Sequence, residues 1–228
     1  MTLFDHILAA ALVTASVAQL FASVDASKLD RATLYKAGAA SGLLFGGAPL
    51  LAWWLDGRPV TVFGLYGWDG GGLPALAAGA VWAAGLFLSF RLIEGGKWRE
   101  TLTGYYRRFD WIMPRDGREL RASWAVSLIA GCGEEIAFRG FLLWYLAGQI
   151  GLPAAILTSS LIFGAAHSYQ KRAGMVFATV AGLVLGLTYV ASGSLPLVMW
   201  IHMSWNMASF AVGRMLLSPQ APENKILQ

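Results

Sequence analysis

The sequence predicts an all-α, polytopic transmembrane bundle of about seven spans, and three observations carry that expectation. Hydrophobic residues make up 57% of the 228 and charged residues only 13%, against roughly 25% charged in a soluble domain. Seven apolar stretches reach or approach the roughly 20 residues a spanning helix needs. The basic residues fall in alternate connections between those stretches, as the positive-inside rule requires.

The stretches are residues 3–24, 34–55, 73–93, 122–147, 152–167, 173–191 and 195–215. The first opens on Asp5 and His6 rather than a basic segment, and its apolar run is long, which sets it against a secretory signal peptide. The fifth is short and the sixth rich in glycine, so both are open to tilting or extension. No internal repeat or low-complexity linker divides the chain. The expected organisation is membrane helices with a cytoplasmic or interfacial loop over 1–121, a helical core over 122–215 and a tail over 216–228.

Lys28, Arg31 and Lys36 follow the first span, eight Lys/Arg lie from Arg91 to Arg121, and Lys171 and Arg172 separate the fifth and sixth. Elsewhere Arg58 is offset by Asp56 and Asp69, and residues 148–151 and 192–194 carry no charge. This places the amino terminus outside and the carboxyl terminus in the cytoplasm, and the short compact chain suits a bacterial inner membrane. It also accounts for the net charge of +4 without nucleic acid. A single cysteine, Cys132, excludes an internal disulfide framework, and ten tryptophans suit two membrane interfaces. The connection from Glu94 to Arg121 interleaves Trp98, Tyr105, Tyr106, Phe109 and Trp111 with basic residues. It reads either as an interfacial amphipathic segment on an anionic leaflet or as a solvated charged loop.

Glu134, Glu135 and Arg139 interrupt the fourth stretch. Three unpaired charges at mid-bilayer oppose insertion by roughly 8–10 kcal/mol, so an arrangement that compensates them is required. Glu135 and Arg139 stand four apart on a helix, carboxylate first, the favourable order for an ion pair. Glu134 lies about 100° round the axis and is left free. A free carboxylate in an apolar site suits general acid or base work near neutral pH; the plainer reading is a Glu-Glu-Arg knot that only holds helices together. Two of the three histidines also sit in apolar helices: His167, four after Phe163, and His202, four before Asn206. Gly131, Gly133, Gly140 and Gly164 flank these side chains and allow close helix approach.

The ordered set Glu134-Glu135-x-x-x-Arg139, Phe163-x-x-x-His167 and His202-x-x-x-Asn206 resembles the three motifs of the CPBP (Abi) intramembrane proteases. That family includes type II CAAX prenyl endopeptidases and bacterial bacteriocin-processing or self-immunity relatives. The stretch from Gly182 through Gly186 to Tyr189, followed by Ser192-Gly193-Ser194-Leu195, is similar to the family's approach to its third motif. The resemblance spans residues 123–207. It implies a catalytic bundle built from the last four spans, which hydrolyses a peptide bond in a membrane-associated protein or peptide. In it Glu134 and His167 would activate water, His202 and Asn206 would stabilise the oxyanion, and Glu135 and Arg139 would support them.

Glu134, His167 and His202, with Asn206 as a weak fourth ligand, could hold zinc. The chain lacks the His-Glu-x-x-His helix of zincins, and a metal-free glutamate mechanism with no cofactor is favoured. Cys132 lies two residues before Glu134, on the other side of the helix, and reads as packing. The rival function is a carrier or immunity protein that uses the same buried groups for binding without cleavage. Depth poses a difficulty: Glu134 is about 20 Å along its helix from Arg121, His167 only about 6 Å from Lys171. Their convergence requires that the fourth helix begin early, the fifth continue past His167, or both in part.

Overall fold

The computed structural model describes residues 1–22, 25–59, 61, 72–94, 96 and 98–218. Among them the regular structure is helical throughout, with no strand. Asp69, Lys97 and the tail beyond Ser218 lie outside the described residues. The helices are α1 (Leu3–Ala18), α2 (Arg31–Leu55), α3 (Gly72–Glu94), α4 (Arg99–Tyr106), α5 (Gly117–Glu135), α6 (Leu143–Ile150), α7 (Leu152–Ala166), α8 (Lys171–Ser192) and α9 (Leu195–Leu217).

Three described segments, Arg31–Leu55, Ala75–Glu94 and Ser168–Ser192, are long and apolar enough to cross a membrane, while α1 and α7 are apolar but shorter. The expected count of seven is therefore not reached on length and composition. Two of the expected spans are too short, and a third is interrupted. The expected fourth span is not one regular apolar helix: α5 runs into a π-helical segment, Ile136–Leu142, and then into α6. The first helix ends at Ala18 instead of residue 24.

The π segment is the centre of the molecule. All seven of its residues are buried, with Ala137, Phe141 and Leu142 at 0% exposure. Seven successive positions turn through the whole circumference of a helix, so burial at each means neighbours on every side. Those neighbours are α2, α7 and α9. Phe138, Phe141, Leu142, Trp53, Phe163, Leu195 and Val198 form the main apolar cluster around it.

Small residues let α2 reach this axis. A Cβ on Gly46 would lie 2.7 Å from the Gly133 Cα, and one on Gly42 would lie 2.7 Å from the Ala130 Cα. The two helices thus meet backbone to backbone, as small-xxx-small surfaces do in membranes. Gly131 meets α9 in the same way, its would-be Cβ 3.1 Å from Met203.

The two ends differ in charge. At one, Arg31 donates to the carbonyls of Met113 (2.8 Å) and Asp110 (3.2 Å), and Tyr35 donates to Ile112 (2.8 Å). Asp116 feels Arg214, and Asp25 feels Lys171, so the basic connections gather there. Helix α4 lies at this end, with Leu102 and Tyr106 packed against Ile93, Val212 and Leu216, and Trp98 and Tyr105 exposed. The long connection is thus docked on α9 rather than free. At the other end Arg58 grips Asp5 through two bonds of 2.9 and 2.8 Å and also pairs with Asp56 at 2.6 Å. The Arg58 guanidinium covers the rings of Trp53 and Trp144. Asp5, 1% exposed, is therefore a buried anchor of the first helix.

The depth difficulty is settled on one side only. Helix α5 begins at Gly117, ahead of Arg121, whereas α7 stops at Ala166 with His167 as its C-cap. The fifth helix does not continue past His167, contrary to the expectation that both would contribute.

Candidate active site

Three chain segments deliver the polar groups to the level of the π segment. The last turn of α5 supplies Glu134 and Glu135, the C-cap of α7 supplies His167, and the second turn of α9 supplies His202. Glu135 is fully buried and its Oε1 accepts from Arg139 Nη1 at 2.7 Å. The same oxygen lies 2.7 Å from His202 Nδ1. Arg139 uses its second nitrogen on the Gly182 carbonyl of α8, at 3.0 Å, and its guanidinium lies over Phe163 at 4.5 Å. Charge, hydrogen bonds and a π face together compensate a cation that is 3% exposed.

Glu134 stands apart from this network. Its Oε2 is buried with no hydrogen-bond partner among the described residues. It lies 3.8 Å from His167 Nε2 and 3.9 Å from His202 Nε2, beyond direct hydrogen-bonding distance of either. The far side of each ring determines what faces Glu134. His167 Nδ1 donates to the Phe163 carbonyl at 2.8 Å, and His202 Nδ1 donates to the Glu135 carboxylate. With Nδ1 so engaged, the nitrogen that each ring turns toward the Glu134 oxygen is Nε2.

Phe163 is the hub of the site. Its ring contacts His167 at 4.6 Å, His202 at 5.9 Å and Phe138 at 5.0 Å, in addition to Arg139. Sequence reasoning placed Phe163 on the same helix face as His167 but missed that it also touches the other imidazole and the guanidinium. The Gly182 carbonyl was missed as well; both lie in stretches already marked by their spacing.

The structure thus brings Glu134, His167, His202, Glu135 and Arg139 together. It places Asn206 one turn beyond His202, half-buried, with no hydrogen bond to the cluster among the described residues. Cys132 is half-buried near Glu135 and forms no disulfide.

The donor chemistry of Glu134, His167 and His202 suits zinc, but the spacing does not. Tetrahedral ligands about 2.0–2.1 Å from zinc lie about 3.3 Å from one another, so Glu134 is about 0.5 Å too far from each ring. Among the described residues no group of three His, Cys, Asp or Glu forms a metal cluster.

No curated protein and no solved structure matches the chain. A family model does, that of the type II CAAX prenyl endopeptidases, Rce1-like, over residues 117–208. The match begins with α5 and includes all six of the polar residues named from the sequence. The family is one of membrane proteases, in keeping with the apolar helices. The segment of this chain that carries Glu134, His167 and His202 is similar to the type II CAAX prenyl endopeptidases, Rce1-like.

Proposed function

We propose that the chain is an intramembrane endopeptidase which hydrolyses a peptide bond in a membrane-associated protein or peptide, using water activated by Glu134 and His167. One observation carries the reading: Glu134 has a buried, unpartnered oxygen between two imidazoles, each oriented from behind. A water hydrogen-bonded to Glu134 and His167 would have a base on one side and an acceptor on the other. Glu134 takes the proton as the water attacks the carbonyl carbon, and returns it to the departing amine. His202, with Glu135 compensating the charge of its imidazolium form, turns Nε2 into a donor for the oxyanion. Asn206 supplies an amide donor one turn away. Arg139 and Glu135 hold His202 in place.

Candidate substrates are a CAAX-like lipid-modified tail, a leader peptide, or a carboxyl-terminal sorting helix. The catalytic region is residues 122–215, preceded by membrane helices over 1–121, within a bundle of about seven spans. The gathering of basic connections at one end supports an orientation with the carboxyl terminus in the cytoplasm, and the short compact chain suits a bacterial inner membrane. Hydrolysis in this reading uses the protein's own groups, with no cofactor.

The test is Glu134→Gln beside wild type in lipid nanodiscs, with farnesylated CAAX peptides and leader peptides scored by mass spectrometry. Cleavage by wild type that disappears in the variant, with the fold retained, supports the reading. Absence of cleavage by wild type, together with retained peptide binding, favours the carrier or immunity alternative. Loss of wild-type activity in chelator and its return with zinc would overturn the metal-free mechanism.

A further inference from the structure

After His167 the chain makes one 3-10 turn, Ser168–Gln170, before α8 starts. The turn is held under strain. Lys171, which is not a glycine, has φ 65° and ψ −177°, a conformation that residues with a Cβ avoid and that clusters at functional sites. Gln170 is lodged against Gly174, where an added Cβ would lie 2.9 Å from the Gln170 Oε1. These constraints set the position of Tyr169.

The Tyr169 ring stacks on His167, with centroids 6.0 Å apart and planes inclined by 29°. Its phenol oxygen accepts from Gln170 Nε2 at 3.0 Å. A phenol has one proton and two lone pairs, so this bond uses a lone pair and leaves the O–H to donate. That O–H lies in the field of the Glu134 carboxylate. Tyr169 is 41% exposed, so the side chain that covers one face of His167 is also open to the outside of the cluster.

The other candidate donors are conditional. His202 Nδ1 is committed to Glu135, and Nε2 donates only when the ring is doubly protonated. Asn206 is a turn further along α9. Tyr169 needs no change of protonation to donate.

We propose that Tyr169 is a further catalytic residue, whose phenolic O–H hydrogen-bonds the oxyanion formed beside Glu134 and His167. The inference rests on the proteolytic reading above. In the first step the water oxygen bonds to the carbonyl carbon, the carbonyl π pair moves onto oxygen, and the water proton passes to Glu134. In the second the oxyanion pair re-forms the carbonyl π bond, the C–N bond breaks with its electron pair staying on nitrogen, and the nitrogen takes the proton from Glu134. Tyr169 keeps its own proton throughout and only stabilises the charge between the two steps.

Tyr169→Phe tests this, because it retains the stack on His167 and removes only the hydroxyl. Wild type, Tyr169→Phe and Tyr169→Ala are compared in nanodiscs on a farnesylated CAAX peptide, with thermal midpoints measured alongside. The expected result for Tyr169→Phe is a kcat lower by about 100-fold, KM within about twofold and an unchanged midpoint, the pattern for losing one oxyanion donor. A wild-type kcat in Tyr169→Phe overturns the proposal, and so does a raised KM with kcat unchanged. If only Tyr169→Ala loses activity, the ring packs and the hydroxyl does nothing, which also overturns it. If wild type cleaves no peptide, the proteolytic reading falls and this inference with it, an outcome distinct from a defect confined to the variant.

Discussion

His202 Nδ1 lies 2.7 Å from Glu135 Oε1, the same oxygen that Arg139 engages at 2.7 Å. Of the two adjacent glutamates, Glu135 thus has its Oε1 shared by a cation and an imidazole, and Glu134 is left facing the two Nε2 atoms. The division of labour follows from helix geometry. Residue 135 shares a face with 139, and residue 134 is turned toward α7 and α9. The buried pair holds the His202 ring from behind, and the neighbouring carboxylate keeps one oxygen without a hydrogen bond among the described residues.

Breaking that pair separates stability from activity. Glu135→Gln leaves Arg139 buried without its counter-charge, and unfolding in detergent is expected to become easier by about 3–5 kcal/mol. Glu135→Leu combined with Arg139→Met replaces both charges with apolar groups of similar size and recovers most of the loss. The double variant nevertheless stays inactive, because His202 has lost its Nδ1 partner. Full activity in it would show that Glu135 does not position His202.

Two adjacent glycines on α2 give an internally controlled test of packing. Gly46→Ala puts a methyl 2.7 Å from the Gly133 Cα, where the contact is backbone and cannot rotate away. A destabilisation of about 1–3 kcal/mol is expected, as for other overpacked sites. Gly47→Ala, with nothing within 4 Å, is expected to be neutral or slightly stabilising. Equal thermal midpoints for the two variants would refute the close crossing of α2 and α5.

The helix caps at the basic end set a pH response. Asp30 caps α2 through Thr33, and Asp116 caps α5 through Glu119 N at 2.8 Å. These hydrogen bonds hold both carboxyls below the ordinary value of 3.8. Groups whose folded pKa is depressed stabilise the fold above the unfolded value, and that contribution is lost as pH falls through the folded one. The thermal midpoint is therefore expected to hold down to about pH 4 and decline below it, less steeply in Asp30→Asn with Asp116→Asn. An identical decline in the double variant would remove the caps as its source.

Much of the architecture was legible because burial in lipid writes itself into composition. Helices α2, α3, α8 and α9 begin and end within a few residues of their apolar runs. The Glu135–Arg139 pair was legible too, since i,i+4 spacing on a helix decides it without help from the rest of the chain. The π segment was not, because its hydrogen-bond shift depends on contacts from α2, α7 and α9. The partner of Asp5 was equally hidden, since Arg58 lies 53 positions away and meets it only where the start of α1 lies beside the end of α2. Gly38, Gly42 and Gly46 stand at four-residue spacing in α2, a visible small-residue stripe, yet nothing local says which helix it faces.

The order and spacing of residues by themselves determined that the chain is helical, apolar, and provided with two carboxylates, a guanidinium and two imidazoles in membrane-like helices. Periodicity and hydropathy are properties of single segments, so a linear string records them. Which oxygen faces which ring was decided only in three dimensions. His167 lies beside Glu134 because α5 starts ahead of Arg121, and each Nε2 points inward because a distant or carbonyl partner holds the other nitrogen. Contacts between segments far apart in the chain set those orientations, and no local pattern encodes them.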